Sequence, residues 1–362
     1  MKILFLGFAK IKIMPYINFY LDSFKEKNHD INIVYWNRDL KEEQLFSEDY
    51  TYYEFKTFQN DNVNKIKKIL PFFKYRKFVK QILKKQEFDR IVVLTTFPGI
   101  MLFDILFKKY RNKYIFDFRD STLERFYPFK KLVDKLIKNS YATFTRSNGF
   151  RKFFLDMPNI YTSHNLLSDS LNYREIRRKD TLLHEPIRIS FWGLLRDFDL
   201  NYQIINRLGN DKRFELNYYG RMQNKEIINY CEEKKFDNVF FHGEYVPEDR
   251  YKFASTADII HNIYNDENMM LAVGNKMYDG PIFYIPQLCF KGTYMGEIVN
   301  RFGVGYECDP YEKDFAEQII NYYKTINPLT FYENCDVFLN EILKEYRSGQ
   351  EVLESFLYGG KA

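Results

Sequence analysis

The stretch Ile187-Arg188-Ile189-Ser190-Phe191-Trp192-Gly193 is a short apolar run, rich in β-branched and aromatic residues, that stops at a glycine. Such a run reads as a buried strand whose carboxyl end opens into a βα turn, where glycine supplies a permissive backbone. Similar runs recur downstream at 214–220, 239–243, 259–264, 287–292 and 303–308, several of them ending in glycine, with longer helix-periodic segments between. Upstream, residues 2–8, 31–36, 90–96, 113–118 and 142–147 form an earlier series, with an edge strand expected at 51–55. Strands alternating with helices predict parallel sheets covered on both faces. Two such series in 362 residues imply the α/β class, as two Rossmann-like doubly wound domains facing each other. The expected division is an N-terminal domain over 1–165, a polar linker over 166–186 and a second domain over 187–340. A terminal amphipathic helix over 341–362 is expected to pack back across the junction.

Hydrophobic residues at 45% and charged residues at 28% exclude a disordered or fibrous chain. With 30 Tyr and 36 Phe against 2 Trp, most aromatic rings must fill cores, while tyrosines in clefts suit sugars and bases. The net charge of +5 hides an asymmetry: residues 1–165 carry 31 Lys+Arg and 18 Asp+Glu, a net of +13, which leaves −8 for the rest. A basic half suggests an anionic surface or substrate. Cys231, Cys289, Cys308 and Cys335 show no paired or metal-type spacing, so free thiols in a reducing cytoplasm are expected. The apolar start at 2–8, followed by Lys10 and Lys12, reads as a strand rather than a signal. No run approaches the ~20 apolar residues of a membrane span.

The expectation is therefore a cytoplasmic protein lying on the inner face of the cell membrane. The element for that contact is residues 64–85, where Lys65, Lys67, Lys68, Lys74, Arg76, Lys77, Lys80, Lys84 and Lys85 interleave with apolar residues and no acid intervenes. On an anionic leaflet each cation would contribute about 1 kcal/mol, with Phe72 and Phe73 inserting. The alternative is a helix that packs its apolar stripe on the sheet and leaves its lysines solvated. No nucleic-acid motif accompanies the charge.

Cations follow the expected strand ends of the second half: Gly193 with Arg196, then Gly220-Arg221, then Asn275-Lys276. In Gly274-Asn275-Lys276-Met277-Tyr278-Asp279-Gly280, a helix starting near Asn275 places Lys276 and Asp279 on one face at i,i+3 spacing, with the free amides of its first turn beyond them. Phosphate is the natural occupant of such an end, and a carboxylate there can accept from ribose hydroxyls. An ordinary surface ion pair is the alternative. Gly243-Glu244-Tyr245 offers either backbone amides for a base edge or a plain turn.

Taken in order, Phe191-Trp192-Gly193, Arg196, Tyr219-Gly220-Arg221, Val239 to Val246, Ala257-Asp258-Ile259, Asn275 to Asp279 and Pro286 resemble the donor domain of GT-B glycosyltransferases. The likeness is strongest to glycosyltransferase family 4 enzymes of bacterial capsule and lipopolysaccharide synthesis. It covers residues 187–310 closely and 1–165 in outline. It implies a GT-B architecture, with Gly193, Arg196, Arg221, Asn275 and Lys276 around the donor diphosphate and Asp279, Tyr278, Glu244 and Tyr245 around ribose and base. Leu271 stands where the family often has a glutamate, with Glu267 and Asn268 nearby as candidate sugar contacts. Pro281 and Tyr284 also depart from the pattern and predict a short or kinked helix. Arg119-Asp120 is similar to an "R-D" segment of the acceptor domain. It is the candidate catalytic pair, Asp120 acting on an acceptor hydroxyl or else capping the next helix.

The function so implied moves a sugar, with retention, from a nucleotide diphosphate, most simply UDP, to a hydroxyl of a lipid-linked saccharide. It calls for no metal and no cofactor beyond the nucleotide sugar. Two other readings share the shape: a nucleotide-sugar epimerase, and a non-catalytic subunit that binds nucleotide sugar or stabilises a partner.

Overall fold

The computed structural model describes residues 1–25, 28–59, 70–120, 126–154, 157–166, 168–177, 185–196, 198–222, 225–246 and 249–358. It divides into two compact units, Met1–Asn165 with Lys344–Ala362, and Leu166–Leu343.

The first unit is a seven-stranded parallel sheet. Its strands are β1 (Lys2–Leu6), β2 (Asp30–Asn37), β3 (Thr51–Lys56), β4 (Arg90–Leu94), β5 (Tyr114–Phe118), β6 (Ala142–Thr145) and β7 (Ile160–Thr162), in the order β3-β2-β1-β4-β5-β6-β7. Helices α1 (Asn18–Lys25), α2 (Leu70–Lys85), α3 (Thr96–Lys109) and α4 (Tyr127–Asn139) connect them. The central strands read as continuous apolar runs because both faces are covered: Ile91, Val92, Val93 and Leu94 are all fully buried. The expected edge strand at 51–55 is there as β3. β7, three residues long, is too short for a periodic signal and was not expected.

The second unit is a six-stranded parallel sheet in the order β10-β9-β8-β11-β12-β13. Its strands are β8 (Ile187–Trp192), β9 (Phe214–Tyr219), β10 (Val239–Gly243), β11 (Ile259–Asn262), β12 (Gln287–Phe290) and β13 (Gly305–Cys308). The helices are α5 (Phe198–Leu208), α6 (Glu226–Lys234), α7 (Arg250–Ala254), α8 (Lys276–Phe283), α9 (Tyr294–Phe302), α10 (Phe315–Thr325) and α11 (Pro328–Tyr358). The four cysteines are free and buried.

Each sheet reverses its strand order once, between β1 and β4 in the first unit and between β8 and β11 in the second. Beyond the carboxyl ends of the strands at such a reversal lies the crevice in which open α/β sheets take ligands. In the second unit the crevice edge is set by glycine. Gly193 and Gly220, at φ +138° and +120°, end neighbouring strands β8 and β9. A Cβ on Gly220 would lie 2.1 Å from the Gly193 carbonyl oxygen, so a side chain there is incompatible with this strand end.

The terminal helix starts earlier than expected. Asn327 accepts the Thr330 amide through Oδ1 at 3.2 Å, and Pro328 takes the first helical position, a cap-plus-proline signal that was legible in the sequence. The 31-residue helix places Phe331, Cys335, Phe338 and Ile342 in the core of the second unit. Its last part, with Leu353, Phe356 and Leu357, belongs to the core of the first. There Arg90 donates to the Phe356 carbonyl at 2.9 Å and lies over its ring. Truncating this fully buried ring, Phe356→Ala, is expected to cost about 3–5 kcal/mol, read as a lower midpoint in urea unfolding.

Candidate donor site in the second unit

Helix α8 is buried over all eight residues. Lys276, in its first turn, is only 6% exposed. Its Nζ donates to the Tyr264 hydroxyl and lies 4.1 Å from the centre of the Phe191 ring and 4.9 Å from that of Tyr264. A Cβ built on Gly193 would stand 3.7 Å from the same amine. Phe191 lies on β8, Gly193 just past its end and Tyr264 just past β11, so the amine sits at the reversal point of the sheet. No ion pair joins it to a carboxylate among the described residues. Burial pushes the amine down to about 7, against the pull of the Asp279 charge and helped by Arg250.

Asp279, expected at the ribose, turns inward. It is 2% exposed, and its Oδ2 accepts from Trp192 Nε1 at 2.8 Å and Arg250 Nη1 at 3.2 Å. Burial raises its carboxyl above the usual carboxylate range despite these donors. Arg250 also donates to Ser170 Oγ at 3.0 Å. The expected Lys276–Asp279 pair is thus replaced by two separate arrangements: Asp279 with Arg250, and Lys276 with aromatic rings. Tyr278, expected at the ribose or base, packs in the same core and is equally buried.

The other donor candidates stay at the surface. Arg196, Arg221, Glu244 and Asn275 are exposed at the carboxyl side of the sheet, and Tyr245 is half-buried with its ring 5.0 Å from Phe253. Glu267 and Asn268 are exposed in the turn after β11, whose amides at Asn268 and Met269 are held by Asp266 Oδ1 at 3.1 Å. Sequence reasoning missed Tyr264, Arg250 and Trp192 as partners, since nothing in their spacing links them to α8.

Pro281 lies inside α8, yet the helix runs on. A proline nitrogen cannot donate to the carbonyl four residues back, Met277. That carbonyl accepts instead from Gln287 Nε2 at 3.1 Å, while Gln287 Oε1 accepts from Asn262 at 2.5 Å. Gly280 makes room, because a Cβ there would sit 1.9 Å from Gln287 Nε2. Tyr284 ends the helix in the left-handed region at φ 52°. Its hydroxyl donates to Asp336 Oδ1 at 2.7 Å and Arg174 stacks on its ring, contacts that offset the backbone cost of a non-glycine residue there.

In the first unit the two catalytic candidates separate. Arg119 is 5% exposed and committed to structure: its Nε reaches both Asp117 oxygens at 2.9 and 3.1 Å, its Nη2 reaches Ser163 Oγ at 3.0 Å, and Tyr16 stacks beneath it. Its expected catalytic role is thus set against contacts that already occupy the guanidinium. Asp120 is half-exposed and 3.3 Å from Arg146 Nη2. The capping alternative, with Ser121 and Thr122, lies outside the described residues.

No protein-family model matches the chain, and no curated protein matches it in sequence. Solved structures do match in fold. HepE (Alr3699) of Anabaena, in complex with UDP, superposes with a TM-score of 0.69 at 14% identity, covering 98% of this chain and 100% of that one. HepE has also been solved with UDP-glucose. Sucrose-phosphate synthase from Thermosynechococcus elongatus gives 0.68 at 10% identity, covering 99% and 100%. The lipopolysaccharide outer core galactosyltransferase WaaB, in its apo form, gives 0.67 at 11%, covering 99% of both chains. The chain therefore has the GT-B fold, two parallel-sheet α/β domains as in these proteins.

Lys276 imposes a measurable pH signature. Its folded value lies below the unfolded 10.5, so the unfolded chain binds more protons between pH 7 and 10.5, and this group makes the fold more stable as the pH climbs through that window. Lys276→Met is expected to stabilise the fold at pH 7 by up to about 4 kcal/mol, with the gain shrinking toward pH 10.5. Denaturant unfolding at both pH values checks this.

Proposed function

We propose that the protein is a glycosyltransferase that takes its sugar from a UDP-sugar bound in the second unit. The carrying observation is the Lys276 amine, buried at the β8/β11 crevice near Gly193, with no carboxylate in ion-pair contact among the described residues. A buried cation kept without an anion is unfavourable for the fold, and such a group is retained where an anionic ligand completes it. A diphosphate fits: Lys276 would meet it from below, the glycine at 193 lets it approach the backbone, and the exposed Arg196, Arg221 and Asn275 stand on neighbouring loops. These donors would stabilise the leaving diphosphate where its charge develops, so the scheme calls for no cofactor. HepE, with its UDP and UDP-glucose complexes, makes uridine the first base to test.

For the acceptor, we favour a hydroxyl of a lipid-linked saccharide in surface polysaccharide synthesis, with retention, as the family 4 resemblance implies. The exposed Asp120 remains the candidate contact for that hydroxyl in the first unit. Helix α2 supports a membrane approach. It buries Pro71, Tyr75, Val79 and Ile82, yet Leu70 and Phe73 stay 59% and 67% exposed beside exposed Lys74 and Lys77. Residues 64–69 of the basic segment lie outside the described residues. No helix among the described residues is long and apolar enough to cross a membrane, so the contact proposed is peripheral.

Calorimetric titration with UDP-glucose tests the donor reading. Lys276→Ala is expected to weaken binding roughly 10- to 150-fold, the loss of one charge-assisted contact of about 1.5–3 kcal/mol. Unchanged affinity removes Lys276 from the site. Binding without turnover on lipid-linked acceptors would favour a non-catalytic subunit, and release of a free epimer would favour an epimerase. The membrane reading predicts co-sedimentation with vesicles containing anionic phospholipid, and a clear drop for Phe73→Ser; equal sedimentation with purely zwitterionic vesicles counts against it.

A further inference from the structure

The Lys276 amine is held in place by something other than an acid. Its own helix α8 contributes Asp279, but that carboxylate is spent on Arg250 and Trp192. Arg250, from α7, is in turn matched by Asp279. From β11 the facing group is His261, which burial pushes down to about 3 and which therefore stays neutral, its Nε2 3.0 Å from Asn201 Oδ1 and its Nδ1 accepting the Ile263 amide. From β12 it is Cys289, whose thiol burial pushes up, keeping it uncharged. Strand β8 offers only the Phe191 ring. The direct contacts that favour a charged amine are thus the faces of Phe191 and Tyr264, whose quadrupoles attract a cation, and the Tyr264 hydroxyl that accepts its hydrogen bond.

We propose that Tyr264 is the positioning residue of this site: its hydroxyl and ring, together with the Phe191 ring, hold the Lys276 amine at the β8/β11 crevice and favour its charged form until an anion arrives. The inference rests on the donor reading for its purpose, but not for its geometry. Tyr264 leaves the strand at the sheet reversal, so one residue sets both where the cation points and whether it carries its proton. When a diphosphate binds, the amine gains an anionic partner, and the hydroxyl becomes one of several acceptors rather than the principal one.

The test is a titration of the full chain carrying 13C-labelled lysine, with the Lys276 Cε signal identified by its loss in Lys276→Arg. Wild type should show one lysine titrating near neutral pH, well below the rest. Tyr264→Phe keeps the ring and removes only the hydroxyl, and should lower that midpoint by about one pH unit or more. Phe191→Leu, which removes the other ring, should lower it as well. A midpoint unmoved in Tyr264→Phe overturns the proposal. The same samples then receive UDP-glucose at pH 6 and pH 8. Tyr264→Phe should bind nearly as wild type at pH 6 and about tenfold more weakly at pH 8. An equal loss at both pH values marks a merely structural tyrosine and counts against the proposal. If the wild-type Lys276 signal ignores UDP-glucose altogether, the donor assignment fails, while the ligand-free titrations still decide the role of Tyr264.

Discussion

Desolvation of one amine is the constraint around which the second unit is arranged. Taking a lysine head group out of water costs several kcal/mol even after relaxation, in a fold whose whole margin is of order 5–15 kcal/mol. The surroundings of Lys276 limit that cost without cancelling it. Two rings, one of them bearing the hydroxyl that accepts from the amine, stand in for water, and Asp279 nearby is already neutralised by Arg250. An amine left in this state gains more from an incoming anion than a solvated one, because little hydration remains to be stripped from it.

The two units share a plan and use it differently. At the carboxyl edge of the first sheet the buried charges are closed among themselves. Asp117, Arg119 and Ser163 satisfy one another, and Lys10 is held between Asp39 and Glu43. At the corresponding edge of the second sheet Lys276 has no ion-pair partner among the described residues. Much of the basic excess of the first half lies on helix surfaces: α2 and α4 leave lysines exposed while burying apolar stripes, so that charge is not consumed by the packing of the unit.

Most of the architecture was legible because parallel strands buried on both faces announce themselves as apolar runs closed by glycine. The twelve runs read as strands, several of them closed by glycine, all became strands, with ends displaced by at most two residues. The exception was β7, since three residues on a sheet edge carry no period. The site was legible by residue type and not by direction. Lys276 could be singled out from its place after a glycine, but spacing alone could not say that Asp279 points into the core toward Trp192, or that Arg119 turns back on Asp117. Those outcomes depend on partners 87 residues away along the chain in one case and two in the other. Tyr264 was invisible for a related reason: a tyrosine after a strand has many uses, and only the folded crevice selects one.

The proline within α8 does not stand alone. Pro281, Gly280, Gln287 and Asn262 form a closed set: the missing amide, the carbonyl it orphans, the side chain that answers it and the space that side chain fills. Restoring an ordinary residue at 281 would supply a second donor for one carbonyl and strand a buried glutamine amide; replacing Gln287 alone would strand the carbonyl. Each member is therefore worth keeping only in the company of the others. A change at any one of these positions therefore acts on the contacts of the others, so the helix bearing Lys276 is specified by β11 and β12 as well as by its own residues.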